Sequence, residues 1–144
     1  MKKNTVIEII TILFMALFFY TAINKLMVIP TLTSVLSQYP ILGAYPKMAA
    51  WTIPIFEITI VGLLYFKRNV GLWVSMITMA CFSVYVSYML LFHPKLPCTC
   101  GGLIQQLNWP QHLLLNIILF LLALISIVLT KQQQKHSLYH LSNL

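Results

Sequence analysis

Charged residues are scarce in this sequence. They make up only 8% of the 144 residues, whereas a typical soluble domain carries about 25%. The two acidic residues are Glu8 and Glu57, and 60% of the chain is hydrophobic. Such a chain cannot cover its surface with groups that water solvates, which excludes a soluble globular domain. We predict a small integral membrane protein with a single domain.

Internal repeats, low-complexity linkers and strand-like alternation of polar and apolar residues are also missing. Instead, four continuous apolar runs are long enough to cross a bilayer, which takes about 20 helical residues. A bilayer has no water to satisfy backbone polar groups, so such runs form helices. We predict an all-α bundle of four transmembrane helices, with spans at about residues 5–24, 47–66, 70–92 and 110–130.

The longest polar tract is short. It covers residues 131–144, which we predict as a cytoplasmic tail, while residues 1–130 form the integral membrane domain. No stretch remains for a separate soluble domain. The first apolar run follows Met-Lys-Lys as a signal peptide would, but it lacks a small-x-small cleavage site. We therefore expect a retained helix.

The basic residues predict the orientation of the chain. The formal charge of +7 is divided into small clusters between apolar runs, a pattern of membrane topology that argues against nucleic acid as a partner. More basic residues flank the termini and the second connection than the other two connections, and the cytoplasmic side is the more basic one. We predict cytoplasmic N- and C-termini, and in a bacterium an inner-membrane protein whose third connection faces the periplasm. The basic residues at the termini and the second connection are Lys2, Lys3, Lys67, Arg68, Lys131 and Lys135, and those in the other two connections are Lys25, Lys47 and Lys95.

The first outer connection contains "PTLTSVLSQY", which begins with a proline suited to a first helical turn. Helical spacing puts four apolar side chains on one face, namely Leu32, Val35, Leu36 and Tyr39. We predict a short interfacial helix lying on the bundle or on the membrane. The second connection, Lys67-Arg68-Asn69, is so tight that the middle two spans must be antiparallel neighbours.

The chain has three cysteines, and two of them lie one residue apart in "PCTCGG". Extended residues at this spacing approach the upper limit of disulfide Cα separations, roughly 6.8 Å, so Cys98 and Cys100 need a turn that Gly101 and Gly102 permit. A disulfide that closes so small a loop is expected to be strained, and strained disulfides tend to be labile or catalytic. The third cysteine, Cys81, lies within an apolar span and is interpreted as a packing residue.

Two other interpretations of the Cys98–Cys100 pair remain open. It can be a static disulfide that pins the loop, or a metal site completed by His93 or His112. The spacing is tight for zinc, whereas soft thiolates suit copper(I). For a redox role, the start of the fourth helix supplies a positive dipole end that favours a thiolate, and His112, one turn in, can act as a base or cation. Asn108 is expected to cap this helix, with Gln111 completing an Asn-x-x-Gln variant of the capping box. Pro110 suits the first turn.

Glu57 lies near the middle of the second span. An ionised carboxylate there costs several kcal/mol unless it is paired, and Lys25, at the end of the first span, is its natural partner. Either the two form a structural ion pair, or a protonated Glu57 bonds across helices, or Glu57 carries protons or contacts a ligand head group. His112 and Asn116 share a helix face, as do Tyr20 and Asn24. Each pair can converge with Glu57 on one polar site, or it can form hydrogen bonds that hold neighbouring helices together.

Three motifs give the sequence a family resemblance: "FFYTAINKL", "IPIFEITIVGLLY" and "PCTCGG" followed by "LNWPQHLLLN". Together they resemble the MauE/DoxX-type redox-associated membrane proteins. The resemblance implies four membrane helices and, in the methylamine-utilisation branch, a factor for disulfide formation and maturation of a periplasmic dehydrogenase. The DoxX branch is named from a subunit of a thiosulfate:quinone oxidoreductase. The matching positions are Lys25, Glu57, Cys98, Cys100, Gly101, Trp109, His112 and Asn116.

These observations lead to a functional hypothesis of thiol–disulfide electron transfer, in either direction, with a periplasmic thioredoxin-like protein as partner. The predicted catalytic residues are Cys98, Cys100 and His112. A quinone, menaquinone or ubiquinone, is the predicted cofactor, and its predicted contacts are Lys25, Glu57, Trp109 and Asn116. The alternatives are a non-enzymatic assembly or maturation factor with a structural disulfide loop, and a copper-handling membrane protein.

Overall fold

A computed structural model gives the fold and describes residues 3–93 and 108–142. These residues form five α-helices and one 3-10 turn, with no β-strand among them. The helices are α1 (Lys3–Met27), α2 (Ile29–Leu36), α3 (Pro46–Phe66), α4 (Arg68–Phe92) and α5 (Trp109–Ser142), and the 3-10 turn is Leu42–Ala44.

Four of the helices are long and apolar enough to cross a membrane, which confirms the predicted four-span bundle. The spanning segments are Asn4–Met27, Pro46–Phe66, Arg68–Phe92 and Pro110–Gln133. Their outward faces carry large exposed apolar side chains, as lipid contact requires. Examples are Ile12, Phe19, Ile55, Val84 and Leu121.

The four spans alternate in direction around the bundle. Ile7, Leu64, Leu72 and Ile127 pack in one cluster, so the start of α1, the end of α3, the start of α4 and the later part of α5 meet at one end. At the opposite end, a second cluster joins α2 to the start of α3, the end of α4 and the start of α5. We call the two ends the Ile7 end and the Lys25 end. The segment that contains Cys98 and Cys100 therefore leaves α4 and enters α5 at the Lys25 end.

The predicted short helix is present as α2, and it lies on the bundle. Leu32, Leu36 and Tyr39 are buried against Ala50 and Met89, which belong to α3 and α4. The segment is apolar on one face and begins with a proline in its first turn. It therefore packs hydrophobic side chains on α3 and α4 at the Lys25 end of the bundle.

Helix α5 continues beyond its apolar span. The sequence predicts the span to end near residue 130, whereas the helix runs on to Ser142. No proline or glycine interrupts this stretch, so nothing in the sequence stops the helix. At the Ile7 end, the Lys131 ammonium lies 5.2 Å from the centre of the Trp73 ring, a cation–π contact between α5 and α4.

The turn between α3 and α4 is tighter than predicted. Only Lys67 separates the two helices, and its N–H donates to the Leu63 carbonyl at 2.8 Å. Gly71 makes this turn possible, because a Cβ there would lie 2.6 Å from the backbone nitrogen of Leu64. The start of α4 thus packs directly on the backbone of α3.

Gly71→Ala is expected to destabilise the bundle by about 1 to 3 kcal/mol, the usual effect of overpacking. Gly62→Ala is the matched control, because nothing lies within 4 Å of a Cβ at Gly62, and alanine is the better helix former by about 0.5 to 1 kcal/mol. Thermal unfolding in detergent measures both variants. Equal midpoints for the two would show that the helices do not pack closely at Gly71.

Candidate functional site

The site is organised around one ion pair between two spans. Lys25 Nζ lies 2.5 Å from Glu57 Oε1 and donates a hydrogen bond to it. Lys25 is in the last turn of α1, and Glu57 is in the middle of α3. Only 7% of Lys25 and 4% of Glu57 are exposed. The predicted pairing is thus made, and it is buried inside the bundle.

Helix α5 brings two further polar side chains to the same place. His112 and Asn116 lie four residues apart in its first turns and are buried on one face. The start of α5 is fixed as the sequence predicts, because the Gln111 side chain accepts a hydrogen bond from the Asn108 N–H at 3.1 Å. This half of the capping box positions the first turn and the His112 that follows it.

A cavity of about 90 Å³ lies between these groups, and we call it the polar cavity. All four spans and the α2 region contribute to its wall. Its polar lining residues are Thr21, Lys25, Tyr39, Glu57, Tyr85, His112 and Asn116, and its apolar ones are Leu17, Phe18, Leu32, Leu36, Leu42, Ile53, Met79, Phe82, Leu115 and Leu119.

Three buried polar atoms at this cavity make no hydrogen bond within residues 3–93 and 108–142: Glu57 Oε2, His112 Nδ1 and Asn116 Nδ2. The hydroxyl of Thr21 lies beside the carboxylate, but it bonds to the Phe18 carbonyl at 3.2 Å. Buried polar atoms are nearly always paired, so unpaired ones need a reason. Three of them, facing one cavity from α3 and α5, fit a site that receives a polar ligand.

Four of the predicted site residues therefore come together: Lys25, Glu57, His112 and Asn116. Trp109 is the first residue of α5, and its side chain is outside the described part of the structure. Cys98 and Cys100 lie outside the described residues as well, so their roles stay predictions.

The structure separates one predicted group from the site. Asn24 donates to the Tyr20 carbonyl of its own helix at 2.8 Å, and neither residue lines the polar cavity. A side-chain amide can bond to a carbonyl one turn earlier in its own helix, and helical spacing alone does not reveal this. Conversely, the sequence analysis missed Thr21 and Tyr85. Thr21 could have been found, because it lies four residues before Lys25 on the same face.

Within the described residues, no group of three or more His, Cys, Asp or Glu side chains could hold a metal ion. The site offers a cation, a carboxylate, an imidazole and an amide around the polar cavity, which suits an uncharged organic ligand that accepts and donates hydrogen bonds.

Residues 3–129 match the family model described as methylamine utilisation protein MauE. The chain belongs to the MauE family. The MauE part of the sequence resemblance is thereby confirmed, and with the four spans it makes the chain a multi-pass membrane protein. No curated protein and no solved structure matches the chain.

Proposed function

We propose that this MauE family protein is a membrane thiol–disulfide redox protein, in which Cys98 and Cys100 exchange electrons with a thioredoxin-like partner and the polar cavity holds a quinone. One observation supports it most directly. The cavity with three polar atoms that have no hydrogen-bond partner among the described residues lies at the Lys25 end of the bundle, where the segment with Cys98 and Cys100 joins α4 to α5.

The proposed exchange takes place in the periplasm, on the outer face of a bacterial inner membrane, as the distribution of basic residues predicts. In the oxidising direction, a thiolate of the partner attacks the Cys98–Cys100 disulfide and forms a mixed disulfide, which the partner's second thiol resolves. The partner leaves as a disulfide, and Cys98 and Cys100 become two thiols. The reverse sequence reduces the partner.

The residues of the polar cavity fit a quinone. The two carbonyl oxygens of a quinone accept hydrogen bonds, which Asn116 Nδ2 can donate, and the hydroxyls of a quinol donate, which Glu57 Oε2 can accept. His112 Nδ1 can do either, according to its tautomer. When bound, a quinone takes up the two electrons and two protons that two thiols release as they form a disulfide.

Each residue of the site then has a distinct role. Lys25 holds the Glu57 carboxylate in place through Oε1 and leaves Oε2 directed at the cavity. His112 lies in the first turns of α5, between the cavity and the point where the cysteine segment enters the helix. We propose that it accepts a proton from the thiols and passes it to the cavity. Trp109, the first residue of α5, is proposed to contact the quinone ring.

The proposal is tested with the purified protein in phosphatidylcholine vesicles that contain menaquinone-4. Reduced thioredoxin serves as the probe partner, and formation of quinol is followed by absorbance. Wild type is expected to couple thioredoxin oxidation to quinol formation. The variant Cys98→Ser/Cys100→Ser is expected to fall to the rate of protein-free vesicles while still binding menaquinone-4.

The alternative role is that of an assembly or maturation factor whose cysteine loop is only a docking surface. The family description, methylamine utilisation, is compatible with it. In that case the doubly substituted chain would reach normal membrane levels and keep its cellular function. That result would remove the redox proposal.

A further inference from the structure

A second cavity, of about 410 Å³, opens on the flank of the bundle between α3 and α4. We call it the lateral groove. Its volume lies in the range of about 300 to 1,000 Å³ that is typical of ligand sites. Phe56 on α3, with Ile77 and Cys81 on α4, line it and are exposed. Because both helices span the membrane, these exposed walls face the hydrocarbon of the bilayer.

The lateral groove adjoins the polar cavity. Five residues line both spaces: Leu42, Ile53, Glu57, Phe82 and Tyr85. Glu57 is the charged member of this shared wall, and its unpartnered Oε2 is buried there. A molecule lying in the groove can therefore bring one end to the carboxylate while the rest stays among apolar side chains.

The α2 region covers the polar cavity at the Lys25 end. Leu32, Leu36 and Tyr39 of the α2 region are buried and line the polar cavity from that side. The groove is open at the side of the bundle, at the level of the membrane. A ligand dissolved in the bilayer thus has a lateral path to Glu57 that does not require α2 to move.

The charges of the site decide which class of ligand fits. The cation Lys25 is already paired with Glu57. Apart from Glu57, the groove is lined by apolar residues, with Thr52, Thr78, Cys81 and Tyr85 as the more polar members. A phosphate head group would need unpaired cations or backbone N–H donors, and the groove's described lining contributes no Lys or Arg. A neutral head with carbonyl oxygens matches the neutral, hydrogen-bonding site.

We propose that the lateral groove is the binding path for the hydrocarbon tail of an isoprenoid quinone, whose head lies against Glu57, His112 and Asn116. This inference rests on the proposed function and adds to it the route, the tail site and the residues that select the ligand. The tail is held between α3 and α4, with Thr52 on one wall and Cys81 on the other.

Binding of tritiated menaquinone-4 to the protein in phosphatidylcholine nanodiscs tests the inference. The background is Cys98→Ser/Cys100→Ser, so the result does not depend on electron transfer. Cys81→Trp fills the groove and is expected to weaken binding about tenfold or more, the equivalent of 1.4 kcal/mol. Val84→Trp is the matched control, because Val84 is 72% exposed on the same helix outside the groove. It is expected to change the affinity less than about twofold.

Two more variants test the groove and the head site separately. Thr52→Trp narrows the groove from α3 and is expected to act as Cys81→Trp does, which keeps the test valid if one variant fails to fold. Asn116→Leu removes an unpartnered amide and is expected to weaken binding about tenfold. Asn24→Leu removes an amide at the same end of the bundle that lines neither space, and it is expected to leave binding unchanged.

The inference is overturned by either of two results. Menaquinone-4 does not bind amid the excess phospholipid, or the groove-filling variants bind it as tightly as Val84→Trp does. Binding by the serine variant without quinol formation by the native cysteines would keep this inference and reject the proposed redox function.

Discussion

Lys25→Met and Glu57→Gln are each expected to lower the free energy of unfolding by about 3 to 5 kcal/mol. Both side chains are buried and form one ion pair. Removing one partner leaves the other charge without a counter-ion inside the bundle, which is far more costly than removing both. Within a membrane span, little water is present to solvate the remaining charge.

The double variant Lys25→Met/Glu57→Gln is therefore expected to be more stable than the sum of the two single effects predicts, by about 1 to 3 kcal/mol. Reversible unfolding in mixed micelles measures all four members of the cycle. Lys47→Met is the control, since Lys47 lies exposed in the first turn of α3 and its removal is expected to change stability by about 0.5 kcal/mol or less. Strictly additive single effects would mean that the two charges do not interact.

The double variant also separates stability from function. It restores an uncharged interior but no longer offers the Glu57 carboxylate to the polar cavity. We expect it to fold and to bind the quinol form, menaquinol-4, more weakly than the wild type, because the quinol hydroxyl then donates to a neutral amide oxygen, and a charged acceptor forms the stronger hydrogen bond. A pair that is only structural would leave this binding unaffected.

The spans and the ion pair could be predicted because their causes are local in the sequence. Runs of about 20 apolar residues have few alternatives to a membrane helix, and a carboxylate in such a run needs a partner, for which Lys25 was the obvious candidate. The amphipathic segment after Pro30 predicts α2 in the same way. The choice between bundle and membrane for α2 required the structure, since its apolar face suits either surface.

The two cavities could not be predicted, because they depend on how helices pack around each other. Nothing in the sequence indicates that Glu57 on α3 and Tyr85 on α4 line both the polar cavity and the lateral groove. The exposure of Cys81 on the wall of the lateral groove was missed for the same reason. A cysteine in an apolar helix looks like a packing residue until the neighbouring helix is placed.

The redox state of Cys98 and Cys100 is expected to depend on quinone. Two thiols that deliver electrons to a quinone accumulate in the reduced form when the quinone is withdrawn, whereas a structural disulfide stays oxidised. If electrons flow in the other direction, withdrawal shifts the pair towards the disulfide. Either shift is expected to involve most of the protein, because the pair would lose its only membrane-bound partner.

Thiol trapping with a mass-tagged maleimide in intact cells measures this state, with quinone synthesis on and off. The chain has three cysteines, so the fully reduced form takes three tags and the Cys98–Cys100 disulfide form takes one. The account predicts that the ratio of the two forms changes when quinone is depleted and returns when it is restored. An unchanged ratio under both conditions would contradict it.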